Sequence, residues 1–361
     1  MHIPIKIWLI IMGFSMSTES FAKKKYEGLF KQESARLAYV NALEGIPKND
    51  LKKRVSAIKP LLKSYPNSPY IKAMLVVLEG DLSQLESLHT ETIQKQRAVE
   101  VLSSLIPESK GLDPWFLSFL RNEIAYHSGE FYQQYLLGVE QVSLDLEGGY
   151  FSIGVGASEY AYELLSKGYL EKAKKFATIS VNAWKFYEKP WERGDHFYTQ
   201  ALAISGDKET SEIIYKKVTS SHIDSDLPWD ERYKKRLEAI KNSLGKDQSK
   251  WPPAVVVQKQ AEAYNSKNLK SFLSFYHKDA ILNREGTGQN DELKGHKEIK
   301  KVFSNLFKKA THLHAYTASR KIIGNKVIDE EITKMTAERE SRVFAIYTVE
   351  NGLITRINFY R

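Results

Sequence analysis

Two histidines one residue apart, His312 and His314, precede Tyr316 and Arg320, and Asp329 and Glu331 follow a short way on. Imidazoles, phenols, guanidinium and carboxylate groups can move protons, hold anions or ligate metal. Alternation along a strand would put His312, His314, Tyr316 and Arg320 on one face. Counting outward from the turn residues Gly324-Asn325 sets Arg320 across from Asp329, with Glu331 on the same wall. An Arg320–Asp329 ion pair is the structural reading. His-x-His with nearby acids is a zinc-type ligand set, but the acids lie too far along the strands to share one ion with the histidines. Acid/base chemistry would use His314 or Glu331, with Tyr264 as a further candidate. A polar wall that binds a small molecule needs only the hydrogen-bonding capacity of these groups.

These groups require a sheet, and the last hundred or so residues supply one. A helix is expected from about Ala254 to Asn265 and a second from Leu269 to Tyr276. A short strand follows at Ala280 to Arg284, then a helix from about His296 to Lys309. Strands then run at about 312–323, 326–336, 342–349 and 353–360. Gly324-Asn325 and Asn351-Gly352 supply the positive-φ residues of two-residue hairpins. The order predicts an α+β unit with an antiparallel sheet. In the last hairpin Phe344, Ile346, Leu353, Ile357 and Phe359 are expected to pack on the helices. Tyr347, Arg356, Asn358 and Tyr360 lie opposite, as a dimer face or a solvent face.

Residues 23–245 read as successive amphipathic helices broken at Pro and Gly. A helix pair is expected after Tyr65-Pro66-Asn67-Ser68-Pro69, with Ser68 as cap and Gly80-Asp81 closing it. In Gly156 to Val181, the residues Ala161, Leu164, Gly168, Ala173 and Ala177 resemble a tetratricopeptide repeat: small residues where two helices touch, and a glycine between them. Gly129 and Gly206 repeat the pattern 39 residues before and 38 after Gly168. Stacked units of this kind form an extended scaffold with a concave surface for a protein or peptide partner. Trp184, Phe186, Tyr187 and Trp191 would line that groove or pack between repeats.

The expected organisation is a signal peptide at 1–22, helical repeats at 23–245, a linker at 246–253 and the α+β domain at 254–361. In the leader, Lys6 precedes an apolar run from Ile7 to Phe14, and Ser20-Phe21-Ala22 offers a cleavage site. The run is roughly half of the about 20 residues needed to cross a bilayer. Export to a periplasm, or secretion after cleavage near Ala22, is expected. The absence of cysteine excludes disulfides and lipid attachment through a thiol.

The net charge of +9 is concentrated late: residues 251–361 hold 19 Lys+Arg against 12 Asp+Glu. Lys294, Lys297, Lys300, Lys301, Lys308 and Lys309 alternate with Ile299, Val302, Phe303, Leu306 and Phe307 at helical spacing. This is an amphipathic helix with a cationic side, either simply solvated or drawn to an anionic envelope polymer or lipid. No nucleic-acid reading motif is present. There is no Walker loop, no Gly-x-Ser-x-Gly elbow and no His-Glu-x-x-His, so no cofactor or metal is implied.

Residues from about Val255 onward resemble the SnoaL-like, nuclear transport factor 2-like superfamily, which includes ketosteroid isomerase. The likeness is carried by Ala263-Tyr264-Asn265-Ser266-Lys267-Asn268-Leu269, Phe275-Tyr276-His277-Lys278-Asp279-Ala280, Lys294-Gly295-His296, His312-Leu313-His314-Ala315, Gly324 to Asp329, and Ile346 to Ile354. The resemblance implies a cone-shaped fold, a curved sheet over helices with one internal cavity, often dimeric through outer sheet faces. Anchored on Asn265, the isomerase's phenol position falls on Gln260, its base on Arg284 and its oxyanion acid near Phe344 or Ala345. Isomerase chemistry by that mechanism is therefore not expected. Tyr264, Asn283, Arg284, His312, His314, Arg320 and Glu331 form the expected ligand-binding set. The leading reading is a non-catalytic exported protein joining a docking scaffold to a small-ligand cavity. The alternative is an isomerase, dehydratase or hydrolase using His/carboxylate groups.

Overall fold

The computed structural model describes residues 33–47, 50–83, 88–108, 114–146, 148–186, 192–220, 228–284, 292–310, 312–334 and 340–360. The leader, Tyr187 and Trp191 lie outside the described residues. Two compact units are present, one up to Glu130 with 145–147, the other formed by 131–144 and 148–361.

The first unit is helical: α1 (Glu33–Leu43), α2 (Leu51–Ile58), α3 (Leu61–Ser64), α4 (Pro69–Ser83), α5 (Leu88–Glu108) and α6 (Pro114–His127). α4 buries consecutive residues from Leu75 to Leu78, as a helix enclosed on several sides must. Ser68 caps it, its Oγ accepting from the Ile71 N–H at 3.4 Å. The helix does not stop at Gly80-Asp81, however. Gly80 lies within the helix, where an added Cβ would fall 2.8 Å from the His127 ring, so that glycine serves close packing on α6.

The second unit begins with α7 (Phe131–Ser143), α8 (Gly149–Ser166), α9 (Leu170–Lys185), α10 (Glu192–Ser205), α11 (Lys208–Ser220) and α12 (Pro228–Leu244). Gly129, Gly168 and Gly206 all have positive φ. After each, the next residue's N–H returns to the carbonyl four residues before the glycine: Glu130 to Ala125, Tyr169 to Leu164, Asp207 to Leu202. This six-to-one bond closes a helix with a left-handed residue, which glycine adopts without strain. Ala161, Ala173 and Ala177 are fully buried where α8 and α9 meet.

Segment 245–253 is tied down by specific bonds. Trp251 Nε1 donates to Gly245 O at 2.7 Å, and Gln248 Nε2 donates to Gly352 O at 2.8 Å. Beyond it come α13 (Pro253–Asn265), α14 (Leu269–Ser274), β1 (Tyr276–Arg284), β2 (Leu293–Lys294), α15 (Gly295–Lys309), β3 (His314–Ile323), β4 (Lys326–Lys334), β5 (Glu340–Glu350) and β6 (Leu353–Tyr360). The six strands are ordered β2-β1-β6-β5-β4-β3. The sheet is mixed rather than antiparallel, because β1 lies parallel to β6. No hairpin joins those two strands, so nothing forces them to run in opposite directions. β1 also starts earlier than alternation suggests, at Tyr276.

Two bulges set which side chains face inward. An irregularity between Thr317 and Ser319 leaves Ala318 and Ser319 both exposed. It moves His314 and Tyr316 to the exposed face and Arg320 to the buried one, overturning their expected common side. β5 is likewise turned over from the sequence expectation: Ala345, Tyr347 and Val349 are buried and Phe344 is 49% exposed. In β6, Ile354 and Ile357 are both buried, with the register shift between them. The core beneath the sheet unites Val256, Phe272, Phe303, Phe307, Val327 and Ile357. On α15, Ile299, Phe303 and Phe307 face this core while Lys297, Lys300, Lys301, Lys308 and Lys309 are exposed, as the spacing predicts.

Candidate functional site

Glu331 and Tyr264 both lie in the interior of the C-terminal region, where the Glu331 charge acts on the Tyr264 phenol. Tyr264 is placed by the end of α13, which is fastened to β3 by a side chain acting as a strand partner. Asn265 accepts from Ala315 N through Oδ1 at 2.7 Å and donates to Ala315 O through Nδ2 at 2.8 Å. Lys267, with φ of 52°, donates to Ala310 O at 2.6 Å and turns the chain towards α14. Tyr264 thus packs among rings, with centroids 5.6 Å from Phe307 and about as far from Phe272 and Phe303.

Glu331 comes from the middle of β4, on the same side as Val327 and Asp329. Tyr347, opposite Val327 on β5, donates from its hydroxyl to Glu331 Oε1. Among the described residues no other group bonds this carboxylate, and Glu331 keeps some accessible surface. Burial pushes its pKa up to about 7, the Asp329 charge adds to the rise, and the Tyr347 bond and Arg320 oppose it. The phenols respond in kind. Desolvation and then the Glu331 charge hold Tyr264, Tyr276 and Tyr347 above the ordinary tyrosine range. Gln260 Nε2 donates to the Tyr276 hydroxyl at 2.9 Å, so this amide holds a neighbouring phenol.

The other expected residues lie elsewhere. Arg320 is interior, its Nε and Nη2 donating to Asp329 Oδ1 and Oδ2 at 2.7 and 2.6 Å, in the register counted from the turn. Both side chains are 1% exposed. His312 and His314 are exposed and do not meet Glu331. Asn283 and Arg284 end β1; the Asn283 amide, oriented to satisfy its neighbours, donates to Glu292 Oε2 and accepts from Arg356 Nη1, each at 3.0 Å. Among the described residues no three His, Asp or Glu side chains cluster as a metal site.

Tyr347, Tyr276 and Gln260 were not anticipated as site residues. Cross-strand pairing held the signal for the first. If Asp329 and Glu331 face inward, their partners Ala345 and Val343 do too, and Tyr347 two residues further must follow. A carboxyl half-protonated near neutrality, with one oxygen held by a phenol, can donate a hydrogen bond to a ligand oxygen or accept a proton from one.

Residues 257–357 match the family described as SnoaL-like domain. No curated protein sequence matches the chain. Similar solved structures include an NTF2-like protein of unknown function from Cytophaga hutchinsonii, at 15% identity, covering 30% of this chain and 88% of that one, with a TM-score of 0.26. A putative polyketide cyclase from Sinorhizobium meliloti is 16% identical over 29% of this chain and 93% of its own, TM-score 0.26. A protein of ketosteroid isomerase-like fold from Catenulispora acidiphila, in complex with trimethylamine, is 14% identical over 29% and 84%, TM-score 0.26. The C-terminal part of this chain, residues 257–357, is a SnoaL-like domain.

Proposed function

We propose that the SnoaL-like domain binds a small, largely apolar, ring-bearing molecule carrying one carbonyl or hydroxyl oxygen, and that Glu331 exchanges a proton with it. The observation that carries this reading is the Glu331 carboxyl, raised to about 7 beside the aromatic interior and held by Tyr347. Rings supply apolar contact, while a single tuned carboxyl supplies orientation and acid/base capacity. In this reading Tyr347 fixes one oxygen and Tyr264 borders the ligand. His314 takes no part, because it lies on the exposed face.

The test is ligand binding and turnover across pH 5 to 9 with a panel of cyclic ketones and phenols. Binding or turnover should change around pH 7 and lose that inflection in Glu331→Gln. A wild-type profile flat across this range for every bound compound would refute the reading.

The three glycine-closed turns and the buried alanines between α8 and α9 support a tetratricopeptide-like scaffold that docks a protein partner. The leader keeps its reading as an export signal. Amino-terminal sequencing of the mature protein should begin just after Ala22, and an intact leader would end it.

A further inference from the structure

Arg320 has a second set of partners, and they lie outside the sheet. While Nε and Nη2 hold Asp329, Nη1 donates to Lys167 O at 2.8 Å, in the turn between α8 and α9. The same nitrogen is 3.4 Å from Ala254 O and 3.3 Å from Gln258 Oε1. The guanidinium lies over the Tyr169 ring, 5.4 Å from its centroid. Gly168 makes this approach feasible. Its φ is 84°, and an added Cβ would sit 2.3 Å from Ala254 O. A helical turn far away in sequence therefore completes the coordination of a buried arginine in the SnoaL-like domain.

We propose that the Lys167-Gly168-Tyr169 turn is a positioning element for the Glu331 site, fixing the Arg320–Asp329 pair two residues along β4 from that carboxyl. This rests on the reading of Glu331 as the proton-exchanging group. The titratable and charged groups facing Glu331 are Tyr347 from β5, Tyr264 from α13, Tyr276 from β1, Asp329 from its own strand and Arg320 from β3. Of these, Arg320 alone is cationic and alone is held by the helical region. With the turn in place, the guanidinium stays dry and its field reaches Glu331 with little screening. Once released, it would turn to water and its attraction for the Glu331 anion would weaken.

The experiment is a carboxyl-carbon NMR titration of the full chain labelled in glutamate, with the Glu331 signal assigned by its loss in Glu331→Gln. Tyr169→Leu removes the ring, and Gly168→Ala pushes the turn off Ala254. Both should raise the Glu331 midpoint, by about half a pH unit or more. Midpoints identical to wild type in both variants would overturn the proposal. So would a downward shift, which would mean hydration of the site rather than loss of a nearby cation. If Gly168→Ala does not fold, Tyr169→Leu decides alone. A wild-type midpoint at the ordinary 4.5 would refute the proton-exchange reading, while the difference between wild type and Tyr169→Leu would still decide the positioning role.

Discussion

Tyr347 and Glu331 stand on adjacent strands without being opposite each other: the tyrosine, paired with Val327, reaches past Asp329 to donate its hydroxyl proton to the glutamate. The bond stabilises the carboxylate, so Tyr347→Phe should raise the Glu331 midpoint above its wild-type value near 7. The expected rise is about one pH unit, followed by the same NMR titration. A lower midpoint would show that the phenol favours the protonated acid.

Glu331 also makes stability depend on pH. Its pKa is higher in the folded chain, about 7, than the ordinary 4.5, so the folded state retains a proton that the unfolded state gives up between those values. Its contribution is therefore fully present below pH 4.5, declines as pH rises to 7, and stays lost above. The span is about 3 kcal/mol. Glu331→Gln should match wild type near pH 4 and be more stable at pH 8 by up to that amount in urea unfolding. Equal differences at both pH values would show that this carboxyl titrates normally.

Breaking the Arg320–Asp329 pair from either side leaves a charge buried. Asp329→Ala and Arg320→Ala should each cost about 3–5 kcal/mol in denaturant unfolding. Replacing both with apolar residues, as Arg320→Met with Asp329→Leu, should recover much of that loss. A double variant as unstable as the sum of the singles would show that the pair is not the source.

Gln260→Leu removes the donor to the Tyr276 hydroxyl. Because Tyr276 is buried, its phenol would be left without that bond, at a cost of about 1–3 kcal/mol. Adding Tyr276→Phe to Gln260→Leu should return part of the stability, which thermal unfolding can measure.

Most elements of the C-terminal domain were legible because their signals are local. Asn351-Gly352 adopts positive φ at both residues and Gly324 at the first of its turn, as the hairpin sequences require. The cross-strand position of Arg320 and Asp329 followed from counting back from Gly324-Asn325. What stayed hidden depends on long-range pairing. No residue near 276 signals that β1 will run parallel to β6. The bulge at Ala318 carries no glycine to mark it, so His314 and Arg320 looked like neighbours on one face. In β5 the apolar side chains of Phe344 and Ile346 mimic a core stripe, while the inward row holds Ala345 and the phenol of Tyr347. Glu331 and Tyr264 could be singled out by residue type, but that both turn inward depends on the long-range strand pairing.

The parallel seam between β1 and β6 also has a consequence for the order of folding. Asn283 and Asn358 meet across it although 75 residues separate them. During synthesis β1 must wait with an open edge until the chain through Tyr360 has emerged, so the hairpins of β3 to β6 can assemble first and the seam closes last. A premature stop within β6 would then strand β1 beside a half-built sheet, exposing an edge that invites pairing with another copy.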